Sequence, residues 1–267
     1  MTMNARLKET AHVTGIEWLD SENALLGLNA PEAARLAQPG QFVLLAAGQM
    51  LNRPLGVALT DPESGMVTVG IKKVGSGTGA LLDLEQGSAI RLLGPFGHGF
   101  SLDNVNRAYV VGGGTGIFPL LFLLHVLRSR GVETFAGCGF RTLQQALLQE
   151  DFSDVSDQYL TACESGGGDV SGTAVDALDA LYLGHGRTER TRVFACGPIP
   201  MLQAVNRWCE THDVAAECSF EARMGCGFGI CRGCAVPVLK AGALDYDRCC
   251  VEGPVFDRRR IAWEALS

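Results

Sequence analysis

Apolar and polar positions along this chain change rhythm twice. Up to about residue 102 the apolar runs are short. Gln41-Phe42-Val43-Leu44-Leu45-Ala46 and Met66-Val67-Thr68-Val69-Gly70-Ile71 have strand length, and Pro39-Gly40 and Asp61-Pro62-Glu63-Ser64-Gly65 mark turns around them. Short strands at this spacing predict a small barrel or sandwich. Thr78-Gly79-Ala80-Leu81-Leu82-Asp83-Leu84 predicts a short helix over residues 78–86 set into it. From residue 103 the texture alternates. Ala108-Tyr109-Val110-Val111 reads as a buried strand, residues 117–130 as a helix, 134–140 as a strand, 143–148 as a helix, 191–196 as a strand and 199–210 as a helix. That alternation predicts a parallel α/β sheet with helices on both faces. Beyond about residue 218 the chain is glycine- and cysteine-rich with little periodicity, which predicts a small module held together partly by metal. The expected organisation is therefore a small β-barrel or sandwich over 1–102, an α/β domain over 103–217 and a small module over 218–267. No internal repeat or low-complexity tail interrupts it.

Composition narrows the picture. With 267 residues, 47% of them hydrophobic, the chain can build more than one core. A formal net charge of −7 is no nucleic-acid footprint. No apolar run reaches membrane-span length: Leu120-Leu121-Phe122-Leu123-Leu124 is too short and is followed by His125 and Arg128. The stretch Met1-Thr2-Met3-Asn4-Ala5-Arg6-Leu7-Lys8 lacks the apolar core of an export signal. Ten cysteines in such a chain predict a reducing cytoplasm, where clustered thiols more often bind metal than form disulfides.

Three of those thiols, Cys226, Cys231 and Cys234, stand as C-x4-C-x2-C, and a fourth follows at Cys249 or Cys250. This is the plant-type [2Fe–2S] spacing. Four thiolates also satisfy structural zinc, but zinc sites usually combine two C-x2-C knuckles, and here one half is a lone thiol. The glycines between the cysteines allow a tight curl and leave backbone N–H groups free to point at sulfur. Of the adjacent pair, only one can face the cluster if the segment is extended. Cys138, Cys163, Cys209 and Cys218 have no ligand spacing and are expected to pack.

Other motifs are weaker. Gly112-Gly113-Gly114-Thr115-Gly116 lies at a strand-to-helix junction, where a pyrophosphate can approach backbone N–H groups at the positive helix end. Ile117 occupies the position of the last glycine of G-x-G-x-x-G, so this is not the standard Rossmann fingerprint. Arg53-Pro54 presents a guanidinium able to grip a diphosphate. Gly75-Ser76-Gly77-Thr78 suits either a phosphate or ordinary helix capping. Cys196-Gly197-Pro198 ends a strand where open α/β sheets bind ligands.

The order of these motifs, with Leu93-Gly94-Pro95-Phe96-Gly97-His98-Gly99-Phe100 between Gly77-Thr78 and the Gly112–Gly116 loop, resembles the ferredoxin-NADP reductase superfamily over nearly the whole chain. Glu221-Ala222-Arg223-Met224-Gly225-Cys226 and Cys250-Val251-Glu252-Gly253-Pro254-Val255-Phe256 further resemble the electron-transfer subunits of heteromeric, NAD-linked dihydroorotate dehydrogenases. The resemblance implies that the barrel binds FAD, the α/β domain binds NAD(H), and the module carries [2Fe–2S] on Cys226, Cys231, Cys234 and Cys250, the last chosen over Cys249 by its position before an acid and Gly-Pro. It implies flavin contacts from Arg53, Pro54, Leu55 and Gly56, from Gly70, Ile71 and Lys72, and from Gly77 and Thr78. It implies nicotinamide-nucleotide contacts from Gly112, Gly113, Gly114, Thr115, Gly116, Gly197 and Pro198, with Cys196 near the site of hydride transfer. Gly56 stands where the family usually has Ser, and Ile71-Lys72 where it often shows Tyr-Arg.

The implied function is electron transfer between NAD and a partner in pyrimidine biosynthesis. That partner is a catalytic FMN flavoprotein subunit oxidising dihydroorotate, joined with this chain in a hetero-oligomer, a heterotetramer by resemblance. No residue here is suited to a pyrimidine substrate, in keeping with an electron-transfer subunit. The alternatives are the small flavin subunit of an NADH-dependent ferredoxin:NADP oxidoreductase or sulfide dehydrogenase, a zinc-stabilised nucleotide-binding regulator, and an oxidoreductase acting alone on small acceptors.

Overall fold

The computed structural model describes residues 8–46, 48 and 51–266. Residues 1–7, read above for an export signal, lie outside that range. The first part is a closed barrel rather than a sandwich. Its strands are β1 (Lys8–Trp18), β2 (Asn23–Asn29), β3 (Phe42–Leu45), β4 (Arg53–Asp61), β5 (Met66–Lys72) and β6 (Ala89–Phe96), in the order β1-β2-β5-β4-β3-β6. Alternate positions fill the interior: Val67, Val69 and Ile71 of β5 meet Leu26 and Leu28 of β2 there. Two short helices serve the barrel, α1 (Pro31–Leu36) and α2 (Ser76–Leu82). Ala30 gives α1 no side-chain cap, so the Glu9 carboxylate on β1 accepts from the N–H groups of Glu32 and Ala33 at 3.1 and 3.2 Å. The helix expected over 78–86 begins two residues earlier and ends at Leu82.

The second part carries β7 (Arg107–Gly113), α3 (Ile117–Ser129), β8 (Glu133–Phe140), α4 (Gln149–Val155), β9 (Gln158–Cys163), β10 (Val170–Ser171), α5 (Ala174–His185), β11 (Thr191–Cys196), α6 (Ile199–Thr211) and β12 (Ala215–Ser219). The sheet is doubly faced, and strand alternation sorts the core accordingly. Tyr109, Val111, Val193 and Ala195 pack with α5 and α6, whereas Ala108, Val110, Phe194 and Cys196 pack with α3 and α4. Helix α3 is buried along Ile117, Phe118, Leu120–Leu124 and Leu127 because it lies between two layers. Phe122 joins the barrel core while Leu120, Leu121 and Leu124 join the sheet core.

One expected helix is displaced. Residues 143–148 hold only a 3-10 turn, Leu143–Gln145, and Leu148 takes a left-handed φ of 56° before α4 starts at Gln149. Leu143, Leu147 and Leu148 lie ahead of the helix, whose own buried residues are Phe152 and Val155. Glu150 and Asp151 in the first turn of α4 suit its positive end.

The remainder forms a hairpin of β13 (Ala235–Lys240) and β14 (Ala243–Arg248), and then β15 (Val255–Asp257). β15 pairs antiparallel with β12 and completes a seven-stranded sheet, β10-β9-β8-β7-β11-β12-β15. The tail is thereby stitched to the α/β layer on either side of the cysteine loop.

Candidate functional site

Strand order locates the site. From β7 the chain proceeds outward through β8 and β9, then returns to β11 on the other side, so the direction of winding reverses between β7 and β11. Ligands of open α/β sheets bind beyond the carboxyl ends of strands at such a point. In parallel register Cys196 lies beside Gly112 on one side and Ser219 on the other. The glycine run follows β7 there. Gly112 and Gly113 belong to the strand, and Gly114, Thr115 and Gly116 form a 3-10 turn that leads into α3. The turn presses against β11: a Cβ on Gly116 would lie 2.3 Å from the Cys196 carbonyl oxygen. Gly197 approaches the Gly113 carbonyl, and Pro198 borders the same glycine.

A cleft of about 360 Å³ opens between this edge and the barrel. The barrel wall contributes Pro54, Leu55, Gly56, Gly70, Lys72 and Thr78, and the sheet edge contributes Thr115, Cys196 and Ser219. Glu221, Ala222 and Met224 close the far side, and Cys226 follows two residues later. Residues expected on the flavin side and on the nucleotide side thus share one cavity that ends at the thiol loop.

Ile71 departs from the expectation. It is wholly buried in the barrel core, because alternation along β5 turns Gly70 and Lys72 to the cleft and Ile71 away from it. Lys72 is paired with Glu22 at 3.4 Å across the barrel surface. Arg53 lies at the start of β4 with its guanidinium against the first turn of α2. A Cβ on Gly77 would fall 1.9 Å from Arg53 Nε, so only glycine admits that approach. The Thr78 hydroxyl is engaged in capping: it accepts from the N–H groups of Val74 and Gly75 at 3.0 and 3.2 Å.

Among the cleft residues that escaped the sequence reading, two stand against the barrel wall. Phe118 and Pro119, at the start of α3, cover the glycines of β4 and β5. A Cβ on Gly70 would lie 2.0 Å from Phe118 Cγ, and one on Gly56 would lie 3.4 Å from Pro119 Cβ. Glycine inside a strand often marks such a close approach, and that was the available signal. The Glu221 carboxylate accepts from the Thr115 hydroxyl at 3.2 Å, tying the glycine turn to the segment that leads into the cysteine loop. Burial, then the negative charge of Glu221, push the Cys196 thiol up to about 12 against a hydrogen bond with Ser219. Cys196 therefore meets the cleft as a neutral thiol.

The C-terminal thiols sort into two pairs. Cys226 and Cys231 interlock through the backbone: the N–H groups of Ile230 and Cys231 donate to Cys226 Sγ at 3.3 and 3.4 Å, and Cys226 N–H donates to Cys231 Sγ at 3.5 Å. Burial raises the Cys226 thiol, but the backbone N–H groups of Cys231, Phe228 and Ile230, with the Cys231 side chain, outweigh it and hold it down to about 6. Cys234 Sγ and Cys250 Sγ form the second pair, 3.3 Å apart. Cys249 and Cys250 lie in a turn, not the extended segment assumed from sequence, yet they still diverge. Cys249 donates its thiol to the Phe220 carbonyl at 3.2 Å within the core. Among the described residues no three His, Cys, Asp or Glu side chains converge to hold one ion. Two thiol pairs match a binuclear centre, in which each iron takes two thiolates, better than a single tetrahedral zinc.

Residues 221–262 match the family described as the iron–sulfur cluster binding domain of dihydroorotate dehydrogenase B. The chain is 31% identical to the dihydroorotate dehydrogenase B (NAD(+)) electron transfer subunit of Desulforamulus reducens over 95% of its own length and 98% of that protein's. It is 34% identical to the subunit of the same name from Geobacillus thermodenitrificans, covering 86% of this chain and 89% of that one. Among solved structures, a chain of an NADH-dependent reduced ferredoxin-NADP oxidoreductase superposes with a TM-score of 0.85 at 27% identity, over 97% of this chain and 91% of that one. A ferredoxin NADP+ reductase from Neisseria gonorrhoeae, solved with FAD and NADP, shares the fold at 17% identity and a TM-score of 0.64, over 77% of this chain and 91% of that one.

Proposed function

The chain belongs to the family of dihydroorotate dehydrogenase B electron transfer subunits, and on that premise we propose how its residues divide the work of passing electrons between NAD and a catalytic partner subunit. It is an NAD-linked oxidoreductase subunit that uses FAD, a [2Fe–2S] cluster and NAD(H). FAD supplies exchange between two-electron hydride chemistry and one-electron carriers, and the cluster supplies one-electron carriage.

The residues present fit these groups. The barrel wall at Pro54, Leu55, Gly56, Gly70 and Lys72 would hold the flavin, with Arg53 and the α2 start at Gly77 and Thr78 holding its diphosphate. The turn Gly112–Gly116 with Gly197 and Pro198 would hold the nicotinamide nucleotide, and Cys196 would face the reacting ring as an uncharged group. Cys226 and Cys231 would hold one iron, Cys234 and Cys250 the other. Residues 1–102, 103–217 and 218–267 would then serve flavin, nucleotide and cluster respectively.

The observation that carries this reading is the single cleft shared by Gly70 of the barrel, Cys196 of the sheet and Met224 of the cysteine loop. A hydride site on that cleft would lie beside a one-electron site within one chain. The partner we propose is an FMN-bearing dihydroorotate dehydrogenase subunit in a hetero-oligomer, acting in pyrimidine biosynthesis. We place the assembly in the cytoplasm, which the ten unpaired cysteines support.

The test is reconstitution with a catalytic dihydroorotate dehydrogenase subunit. Orotate-dependent NADH oxidation that needs both chains is expected. The likeness to the ferredoxin-NADP oxidoreductase chain favours the second reading, a small flavin subunit of that kind. Ferredoxin-dependent turnover without any orotate-dependent rate would establish it instead.

A further inference from the structure

Beyond the thiols themselves, one ion pair touches both halves of the cysteine module. Arg248 ends β14, two residues before Cys250. Its Nε donates to Glu252 Oε2 at 3.0 Å, its Nη2 to Glu252 Oε1, and its backbone N–H to Glu252 Oε2 at 2.7 Å. The remaining arm, Nη1, donates to the Gly229 carbonyl at 2.9 Å, at the crest of the loop between Cys226 and Cys231. Gly229 is pressed flat there: with φ at +89°, its Cβ would lie 3.1 Å from Arg248 Nη1 and 2.6 Å from Val251 Cγ2. The Arg248 carbonyl accepts from the N–H groups of Val251, Glu252 and Gly253 at 3.0, 2.9 and 3.3 Å, which closes the turn that presents Cys250. Both side chains are about two-thirds buried, and Arg248 lies within electrostatic range of Cys250 and Cys234.

We propose that Arg248 and Glu252 form a positioning clamp that locks the Cys226–Cys231 loop to the Cys250 turn and sets the reduction potential of the cluster through two opposed charges. This rests on the ligand reading above. The planar fork makes the clamp: two N–H arms grip a carboxylate and the third reaches a carbonyl 19 residues away, which an ammonium cannot do. Charge does the tuning. Reduction adds an electron to an already anionic tetrathiolate centre, so a nearby cation favours the reduced form and a nearby anion opposes it. In the intact pair the charges offset each other, and removing either exposes the other.

The experiment is a spectroelectrochemical titration of the full, flavin-loaded chain carrying Arg248→Gln, Glu252→Gln or Arg248→Lys, with iron, sulfide and flavin stoichiometry measured on each. Arg248→Gln should lower the reduced-to-oxidised ratio of the cluster at a fixed potential about tenfold, a fall of about 59 mV for one electron. Glu252→Gln should raise it by a similar factor. Arg248→Lys should hold the potential within about twofold of wild type but release iron faster to a chelator, because charge is kept and the grip on Gly229 is lost. If Arg248→Gln does not retain a cluster, a raised potential in Glu252→Gln beside an unchanged potential and faster iron release in Arg248→Lys decides the matter. Shifts of the same sign in Arg248→Gln and Glu252→Gln, or no shift in Glu252→Gln, in variants that retain a wild-type cluster overturn the inference alone. A wild-type chain with neither iron nor sulfide overturns the ligand reading and this inference together.

Discussion

Replacing Gly70 with alanine should overpack one specific joint between barrel and sheet. The added Cβ would stand 2.0, 2.3 and 2.5 Å from three ring atoms of Phe118, where ordinary contact begins at 3.4 Å. The ring must retreat by about 1.4 Å. It has nowhere open to go, since Phe118 is only 2% exposed. Overpacking of this kind costs about 3 kcal/mol, and alanine recovers about 0.5–1 kcal/mol through lower backbone entropy in the unfolded chain. The net loss of about 2 kcal/mol corresponds to about 4–8 °C in melting midpoint for a chain of this size. Phe118→Ala alone removes a buried ring and should cost about 3–5 kcal/mol. The double variant is the decisive member: with the ring gone, the methyl added at position 70 meets no obstacle, so Gly70→Ala/Phe118→Ala should melt no lower than Phe118→Ala. Melting of the flavin-loaded chain, followed by flavin fluorescence, reads all four members of the cycle. Additive losses in the double variant would refute the reasoning, because they would mean that the strain lies in the β5 backbone and not against Phe118.

Cys250→Ser should reduce bound iron from about two per chain to near zero while Cys249→Ser retains it, measured by iron and acid-labile sulfide assay; the reverse would hand the ligand role to Cys249. Gly77→Ala should displace the Arg53 guanidinium from the α2 start, lowering the FAD-to-protein absorbance ratio with a melting change under about 1 kcal/mol; an unchanged ratio would remove Arg53 from the diphosphate site. Burial raises the thiols of Cys138, Cys196 and Cys209 to about 12 and those of Cys218 and Cys249 as well, whereas unfolded cysteines ionise near about 8.5. The native chain therefore holds protons that the unfolded chain releases: this stability is intact below about pH 8.5 and is lost as pH rises toward about 12. All five groups act in the same direction, so the urea-unfolding midpoint should fall as pH rises from about 9 to about 10, with protons released on unfolding; a midpoint that holds or rises would sink the claim.

Local chemistry was legible where spacing alone sets it. The C-x4-C-x2-C run, the glycine turn after β7 and the period-2 and longer apolar runs each depend on neighbours in the chain, and the barrel and α/β alternation followed from them. The helix misplaced at 143–148 shows the limit of that reading. Several leucines in a short span fit either a helix or a turn, and the sheet packing of Phe152 and Val155 chose the later start. Ile71 shows another limit: which face of β5 looks into the cleft depends on barrel closure, and closure turned Gly70 and Lys72 outward.

By itself, the order of residues determined which groups could ligate iron, cap a helix or admit a close approach, because those properties belong to short segments. The fold alone decided which of them meet. Reversal of winding between β7 and β11 brought Gly112 beside Cys196. The turn after β14 sent Cys249 into the core and Cys250 to Cys234. The same turn carried Arg248 to Gly229, and packing of α3 on the barrel set Phe118 over Gly70. Each of these contacts joins positions far apart in sequence, and their distances arise only once strand order, alternation and burial act together.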